Sequence, residues 1–210
     1  MCYLFVVKHL KKTIVILILS FLLSNCGQNN SETKQLAIEK PIQHFMTFRL
    51  ADNELVEYDI DTLKNFNEVI KIQDETDCLR EYAIFKLETE DKIYKIQPLQ
   101  FCESIFDYKL REILYVNTDS ITVNYELKFP IDSLKFALTN HLFNPSNNRN
   151  YSLADEKKLI SINIDSTKNI AQTKKLLLNI IKELNAMENK PNFGFMFEDR
   201  GILPKPIIVE

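Results

Sequence analysis

Glycine is scarce in this chain, with three residues among 210. A loop that cradles a phosphate group, or the sharp turn that exposes a nucleophilic serine, needs several glycines at short spacing. Histidine is equally scarce, and neither His44 nor His141 has a Cys or His partner at metal-ligand spacing. The sequence therefore predicts no catalytic residue, no cofactor and no metal site.

An excess of positive charge is also missing. The formal net charge of the whole chain is −3. Removal of residues 1–25, argued below, takes away three lysines and no acidic residue, which leaves a net charge of −6. A mildly acidic protein has no electrostatic reason to bind a phosphate backbone, so we expect no nucleic-acid partner.

The first 26 residues contain an apolar run that is short for a membrane span. The run from Thr13 to Leu23 is about half of the roughly 20 residues that a membrane-spanning helix needs. Lys8, Lys11 and Lys12 precede it, and a positive segment before a short apolar one is typical of an export signal. We therefore assign residues 1–25 to a signal peptide. An uncleaved anchor, an ordinarily cleaved signal and a buried core helix are the alternatives.

The end of this signal carries a candidate modification site. Leu23-Ser24-Asn25-Cys26 resembles the lipobox of bacterial lipoproteins, although Asn25 stands where Gly, Ala or Ser is usual. In that family a peptidase cuts before the cysteine, whose thiol carries a diacylglyceryl group. The resemblance implies that Cys26 is lipidated, takes up labelled palmitate and anchors the chain to a bacterial membrane, with the folded part in the periplasm.

Two cysteines remain once Cys2 leaves with the signal and Cys26 carries lipid. In an oxidising envelope compartment, Cys78 and Cys102 are a candidate disulfide pair. Closing the loop between them would stabilise the fold by roughly 3 kcal/mol in the chain-entropy model. Two buried reduced cysteines are the alternative, because the Cα–Cα distance decides the pairing.

The chain after the signal begins with a polar stretch and a β-rich region. Residues 26–40 are predicted to form a flexible tether. Residues 41–110 are predicted to be rich in strands that form two hairpins. The apolar runs of these hairpins are 45–50 with 55–60, and 82–87 with 93–96. Between the hairpins, residues 63–72 suit either a short helix or a strand.

Residues 111–210 have a more definite pattern of strands and helices. A hairpin is followed by a helix, a strand, a second helix and a final strand, which gives the order ββαβαβ. The predicted elements are strands 113–116 and 121–127 around the turn 117–120, a helix capped by Asp132 or Ser133, strand 159–164, a helix capped by Asp165 or Ser166, and strand 193–197. We expect a two-layer unit with both helices on one sheet face. The predicted fold class is α+β.

A few polar groups deserve a chemical interpretation. His141 falls on the apolar face of a predicted helix, where a core histidine is expected more often than a ligand. Asp59, Asp61 and the acidic residues of 74–77 could be read as calcium ligands, but Asp59-Ile60-Asp61 lacks the glycine and the terminal glutamate of a calcium loop. Solvated turn charges are the favoured interpretation.

Two apolar segments near the C-terminus are also distinctive. Phe193, Phe195 and Phe197 alternate with period two, so we predict that they pack one sheet face into the core. The segment Ile207-Ile208-Val209 lies beyond the last predicted element. It is predicted to add to a sheet edge, its own or that of a neighbouring molecule.

The element order over roughly residues 111–198 resembles the periplasmic domain of the ExbD/TolR family of biopolymer-transport proteins. The similarity includes the helix led by Ile131-Asp132-Ser133-Leu134, the Asn144-Pro145 loop with Tyr151, and the strand ending Ile162-Asn163-Ile164-Asp165. It implies an envelope module that dimerises or binds a protein or cell-wall partner. Family members use an acidic residue in a membrane-spanning helix for proton-driven energy transduction, and residues 1–31 contain no acidic residue. That activity is therefore not expected here.

Together these observations predict a membrane-anchored envelope lipoprotein with a non-enzymatic, protein-binding or structural role. Its expected partners are the membrane, through lipid on Cys26, an envelope protein or cell-wall component, and a second copy of the chain. An exported hydrolase or metal-dependent enzyme without a recognisable motif is the alternative. A pocket that gathers carboxylates around His44 or His141 would favour that alternative.

Overall fold

The computed structural model describes residues 39–46, 54–76, 81–99, 108–153, 157–165 and 167–198. Several features discussed above lie outside these residues: the export signal, Cys26, most of the predicted tether, Cys78, Cys102 and the segment Ile207-Ile208-Val209. From Lys40 onward the described residues belong to one compact unit. Its strands form two sheets.

The first sheet contains four strands in the order β1-β4-β3-β2. Their bounds are Ile42–Met46 (β1), Glu54–Asp59 (β2), Glu81–Glu88 (β3) and Ile93–Gln97 (β4). The second predicted hairpin is confirmed, because β3 and β4 pair antiparallel with Phe85 opposite Ile96. A hydrogen bond of 2.9 Å from Thr89 N to Lys92 O closes its turn.

The first predicted hairpin is wrong. β1 and β2 lie at opposite edges of the sheet, where β1 pairs parallel with β4 and β2 pairs parallel with β3. A parallel pair needs a crossover connection, and helix α1 (Phe66–Glu75) supplies it between β2 and β3. Residues 63–72, which suited a helix or a strand, therefore contribute mainly to a helix. Asn65 caps it, accepting a hydrogen bond from Glu68 N at 3.2 Å.

The second sheet contains five strands in the order β7-β6-β5-β8-β9. Their bounds are Ile113–Val116 (β5), Ser120–Val123 (β6), Leu127–Pro130 (β7), Leu159–Asn163 (β8) and Gly194–Glu198 (β9). The predicted strand 121–127 is two strands, because the chain turns at Asn124 and Tyr125, whose φ angles are 50° and 55°. A hydrogen bond of 3.1 Å from Glu126 N to Val123 O closes this turn, and positive φ at both of its central residues is the type I′ geometry common in hairpins. The C-terminal unit is therefore βββαβαβ.

Two helices cover one face of this sheet, as predicted. They are α2 (Leu134–Phe143), which follows a 3₁₀ turn at Ile131–Ser133, and α3 (Ile170–Asn185). The cap of α3 is Asn169, whose Oδ1 accepts a hydrogen bond of 2.8 Å from Ala171 N. The predicted cap Asp165 instead accepts bonds from the backbone N and Oγ1 of Thr167.

The larger of two clusters of buried apolar residues in the described part of the chain joins the two sheets. Aromatic rings meet between them, with centroid distances of 5.5 Å for Phe85 and Phe197 and 5.8 Å for Phe45 and Phe195. The backbone connects them as well, through a hydrogen bond of 2.7 Å from Leu99 N to Phe195 O. Burial of this apolar surface is the main stabilising contribution to the fold. The predicted α+β class is confirmed.

The described helices are also informative about the membrane. None of those in the described part of the chain combines the length and the hydropathy that a membrane-spanning segment requires.

Candidate functional site

His141 lies in the core, as its place on an apolar helix face suggested. Its side chain is fully buried on α2, and within the described residues neither ring nitrogen makes a hydrogen bond. Burial, and to a smaller extent the nearby Lys158 ammonium, lower the pKa of the imidazole to about 3, against a smaller opposing effect of the Leu159 backbone. The imidazole is therefore neutral at physiological pH, and its complete burial leaves no ring atom exposed to a ligand.

His44 and the described carboxylates considered as calcium ligands are not grouped into a site either, and Asp77 lies outside the described residues. His44 is exposed on β1. Asp59 forms an ion pair of 2.8 Å with Lys86, and Asp61 forms one of 2.5 Å with Lys174. Partial burial raises the pKa of Asp59, but the hydrogen bonds from Lys86 and from Asp61 N outweigh it, so the net shift is downward. Among the residues that the structure describes, no three His, Cys, Asp or Glu side chains are grouped to hold a metal ion.

The three alternating phenylalanines do pack into the core, as predicted. Phe195 and Phe197 are each 1% exposed, and Phe193 packs against the same cluster. They contact Phe45 and Phe85 of the first sheet. They therefore join the two sheets and are not available to bind a ligand.

The outer face of α2 is unexpectedly apolar. Phe136 and Phe143, seven residues apart on the helix, are 56% and 40% exposed. The ring of Phe129, on the edge strand β7, packs edge to face on Phe136 with a centroid distance of 5.7 Å. Leu153, 59% exposed, follows Ser152, whose carbonyl accepts a hydrogen bond of 3.4 Å from Asn144 at the end of α2. We call Phe129, Phe136, Phe143 and Leu153 the α2 surface.

A polar groove of about 380 Å³ lies beside α3. One wall comes from the β5–β6 turn and the 3₁₀ turn before α2, and contains Thr118, Asp119, Ile131 and Asp132. The other wall comes from α3 and the residues just before it, and contains Lys168, Gln172, Lys175, Leu176 and Asn179. The groove is within the size range of small-molecule sites.

Local hydrogen bonds fix the first wall of the groove. The side-chain carbonyl of Asn117 accepts bonds from the backbone N of Asp119 at 2.8 Å and of Ser120 at 2.6 Å, an Asx turn that presents Thr118 and Asp119. Ile131 N then donates to Asp119 O at 3.1 Å. The two acidic residues of this wall, Asp119 and Asp132, are thus carried by two connected turns.

The second wall follows from helix periodicity. Residues 168, 172, 175, 176 and 179 recur at the spacing of one helix face, next to the buried face that packs on the sheet. Lys168 Nζ donates to Thr118 Oγ1 across 3.4 Å at one end of the groove. Within the described residues, no ion pair involves Asp119, Asp132 or Lys175. Opposite charges therefore line opposite walls without neutralising each other directly.

Sequence reasoning missed both surfaces. Asp119 and Asp132 were recognised only as turn and cap residues, and no sequence signal singled out Lys175. The α2 surface had a detectable signal, because Phe136 and Phe143 fall on a different side of the helix from His141, which was predicted to lie on its apolar face. Comparison of the chain with protein-family models, with curated proteins and with solved structures finds no match.

Proposed function

We propose that this chain is an envelope lipoprotein, anchored through lipid on Cys26, whose folded part is a non-enzymatic protein-binding module. The lipobox-like sequence Leu23-Ser24-Asn25-Cys26 supports the anchor. The α2 surface supports the binding role. The partner is another envelope protein or a second copy of the chain.

The observation that carries the binding role is the exposure of Phe136. More than half of this large apolar side chain is accessible, on a helix whose opposite face is fully packed. Aromatic side chains are enriched in the buried centres of protein–protein interfaces, where they contribute much of the affinity. Phe143 and Leu153 extend the same apolar character toward the end of α2. A contact that covers these side chains would remove apolar surface from water.

The position of β7 is consistent with such a contact. Among the described strands, β7 has one neighbour, β6, and it ends in Pro130, which lacks a backbone N–H. Proline and a short length are features that discourage an edge strand from pairing with another sheet. We therefore expect the partner to bind through side chains of the α2 surface, not through strand addition at β7.

Site-specific photocrosslinking in intact cells tests the binding role. A photoreactive amino acid at position 136 should give a discrete adduct, and an adduct of twice the mass of the chain would identify a second copy as the partner. The matched control is position 182, where Lys182 is exposed on α3 and is not one of the residues of the α2 surface. Phe143→Ser, with folding checked by thermal melting, should weaken the adduct. An equal yield at positions 136 and 182, or none at 136, would contradict the proposal.

The anchor is tested separately. Metabolic labelling with palmitate should mark the wild-type chain and not Cys26→Ala. If the membrane fraction retains Cys26→Ala to the same extent as wild type, the result would count against the lipid anchor. It would not affect the proposed binding role of the α2 surface. For the alternative, an exported hydrolase, neither His44 nor His141 provides a supporting observation.

A further inference from the structure

We propose that the polar groove beside α3 binds a small zwitterionic ligand, of the size of an amino acid or a dipeptide. This site is distinct from the α2 surface and goes beyond the protein-binding role. It rests on the arrangement of charge across the groove, on the apolar side chain that each wall contributes and on the dimensions of the groove.

The charge arrangement selects for a ligand that carries both signs. Asp119 and Asp132 lie on one wall, and Lys175 and Lys168 lie on the other. A ligand with only negative or only positive charge would pair with one wall of the groove. It would leave the charges of the other wall unpaired. A zwitterion whose ammonium faces the aspartates and whose carboxylate faces the lysines pairs with both walls at once.

The charges are also available for a ligand. Within the described residues, the carboxylates of Asp119 and Asp132 and the ammonium of Lys175 make no hydrogen bond and no ion pair. The hydrogen bonds of the Asn117 turn and the bond from Ile131 N to Asp119 O keep the acidic wall in place. The groove is thus preorganised, which lowers the entropy lost on binding.

The dimensions match a short ligand. From Gln172 to Asn179 the α3 wall is about 10 Å long at the helical rise of 1.5 Å per residue. An extended dipeptide spans about 7 Å. Ile131 and Leu176 supply apolar contacts for small side chains, and Gln172 and Asn179 supply amide groups that can hydrogen-bond to a peptide bond.

Saturation-transfer-difference NMR on the detergent-solubilised full chain tests the proposal with L-alanyl-L-alanine as the probe. N-acetylated dialanine retains only the negative charge, and dialanine amide retains only the positive charge. The zwitterion should show the strongest transfer, and each blocked form should bind about two- to fivefold more weakly, since one exposed charge pair is lost.

Charge-neutral variants assign each end of the ligand. Lys175→Gln should weaken binding of the zwitterion and of the N-acetylated form but not of the amide. Asp132→Asn should weaken the zwitterion and the amide but not the N-acetylated form. Lys182→Gln, on α3 but outside the groove, is the matched control, and circular dichroism checks folding of each variant. Absence of transfer to the zwitterion, equal binding of all three peptides, or equal losses in Lys175→Gln and Lys182→Gln would overturn the proposal.

Discussion

The side-chain amide of Gln73 donates a hydrogen bond of 3.2 Å to the backbone carbonyl of Phe197. Gln73 is 6% exposed in α1, and Phe197 is at the outer edge of the second sheet, in β9. Two residues earlier along β9, the carbonyl of Phe195 accepts a hydrogen bond from Leu99 N. The outer carbonyls of β9 are thus satisfied by the N-terminal half of the fold, so the two halves share backbone hydrogen bonding as well as a core.

We expect Gln73→Met to destabilise the fold by about 1–3 kcal/mol, because it leaves the buried Phe197 carbonyl without its side-chain donor. Methionine keeps the length and the helix propensity of glutamine. Denaturant unfolding measures the change. Lys71→Met, at an exposed position of the same helix, is the control and should cost less than about 0.5 kcal/mol. A Gln73→Met variant as stable as the control would show that this bond contributes nothing.

Asn144 supports a second prediction. It ends α2 in the left-handed region, with φ of 41°, and is 6% exposed. Its Oδ1 accepts a bond of 2.8 Å from Asn148 N, and its Nδ2 donates to Asn148 O at 3.1 Å. Asparagine therefore stabilises both the helix end and the following loop.

Asn144→Ala loses these bonds and puts alanine, which tolerates the left-handed region less well than asparagine, at this position, so we expect it to cost about 2–4 kcal/mol. Asn144→Gly loses the bonds but not the conformational fit, and should cost about 1 kcal/mol less. The control is Asn147→Gly, since Asn147 also has a positive φ, of 51°, but is exposed. Thermal and denaturant unfolding give the three values. An Asn144→Gly variant that is no more stable than Asn144→Ala would contradict the role of backbone conformation.

Local signals were enough for the elements whose partners are close in sequence. The β3–β4 hairpin, α2 and α3 follow from apolar periodicity and from polar turns. The pairing of β1 and β2 could not be read in this way, because a turn shows where a strand ends and not which strand it joins. The hairpin at Asn124 and Tyr125 was missed because it adopts positive φ without the glycine that usually marks such turns.

The candidate groove was beyond sequence reasoning for a related reason. Asp119, Asp132 and Lys175 are brought together by the packing of α3 beside two turns, and each residue has an adequate local explanation on its own. By contrast, the burial of His141 followed directly from its position among Leu138, Leu142 and Ala137 on one helix face.

The disulfide between Cys78 and Cys102 stays a prediction, because both residues lie outside the described part of the chain. The purified protein is denatured without reductant, alkylated and analysed by mass spectrometry. Neither cysteine should be alkylated before reduction, and both should be alkylated after it. Cys78→Ser should make Cys102 reactive without reductant. Ready alkylation of both thiols in the unreduced wild type would disprove the bond.

His141 predicts how stability depends on pH. The pKa of its imidazole is about 3 in the folded protein because burial disfavours the charged form, whereas an exposed histidine titrates near 6.5. Below about pH 6.5 the unfolded chain therefore binds a proton that the folded chain does not bind. The free energy of unfolding should fall by about 1.4 kcal/mol per pH unit from about pH 6 toward pH 3 for this group alone.

The charged groups around His141 do not reverse this sign. Lys158, just before β8, is buried and donates to the carbonyl of Leu142, and its positive charge also opposes protonation of the imidazole. Elsewhere, Asp59 and Asp165 have lowered pKa values, so their contributions to stability are also lost in acid, but below the pKa of an ordinary aspartate. The interval from about pH 6.5 to pH 5 therefore isolates the histidine.

Denaturant unfolding at about pH 7.5 and pH 5.5 measures the effect. The free energy of unfolding of the wild type should fall by about 1.4 kcal/mol between these pH values because of His141. The decrease for His141→Leu should be smaller than that of the wild type by about the same 1.4 kcal/mol. His44→Gln is the matched control, because His44 is exposed, and should retain the wild-type dependence. If His141→Leu keeps the full loss of stability on acidification, the imidazole is protonated in the folded protein and the packed core around α2 must admit water to it.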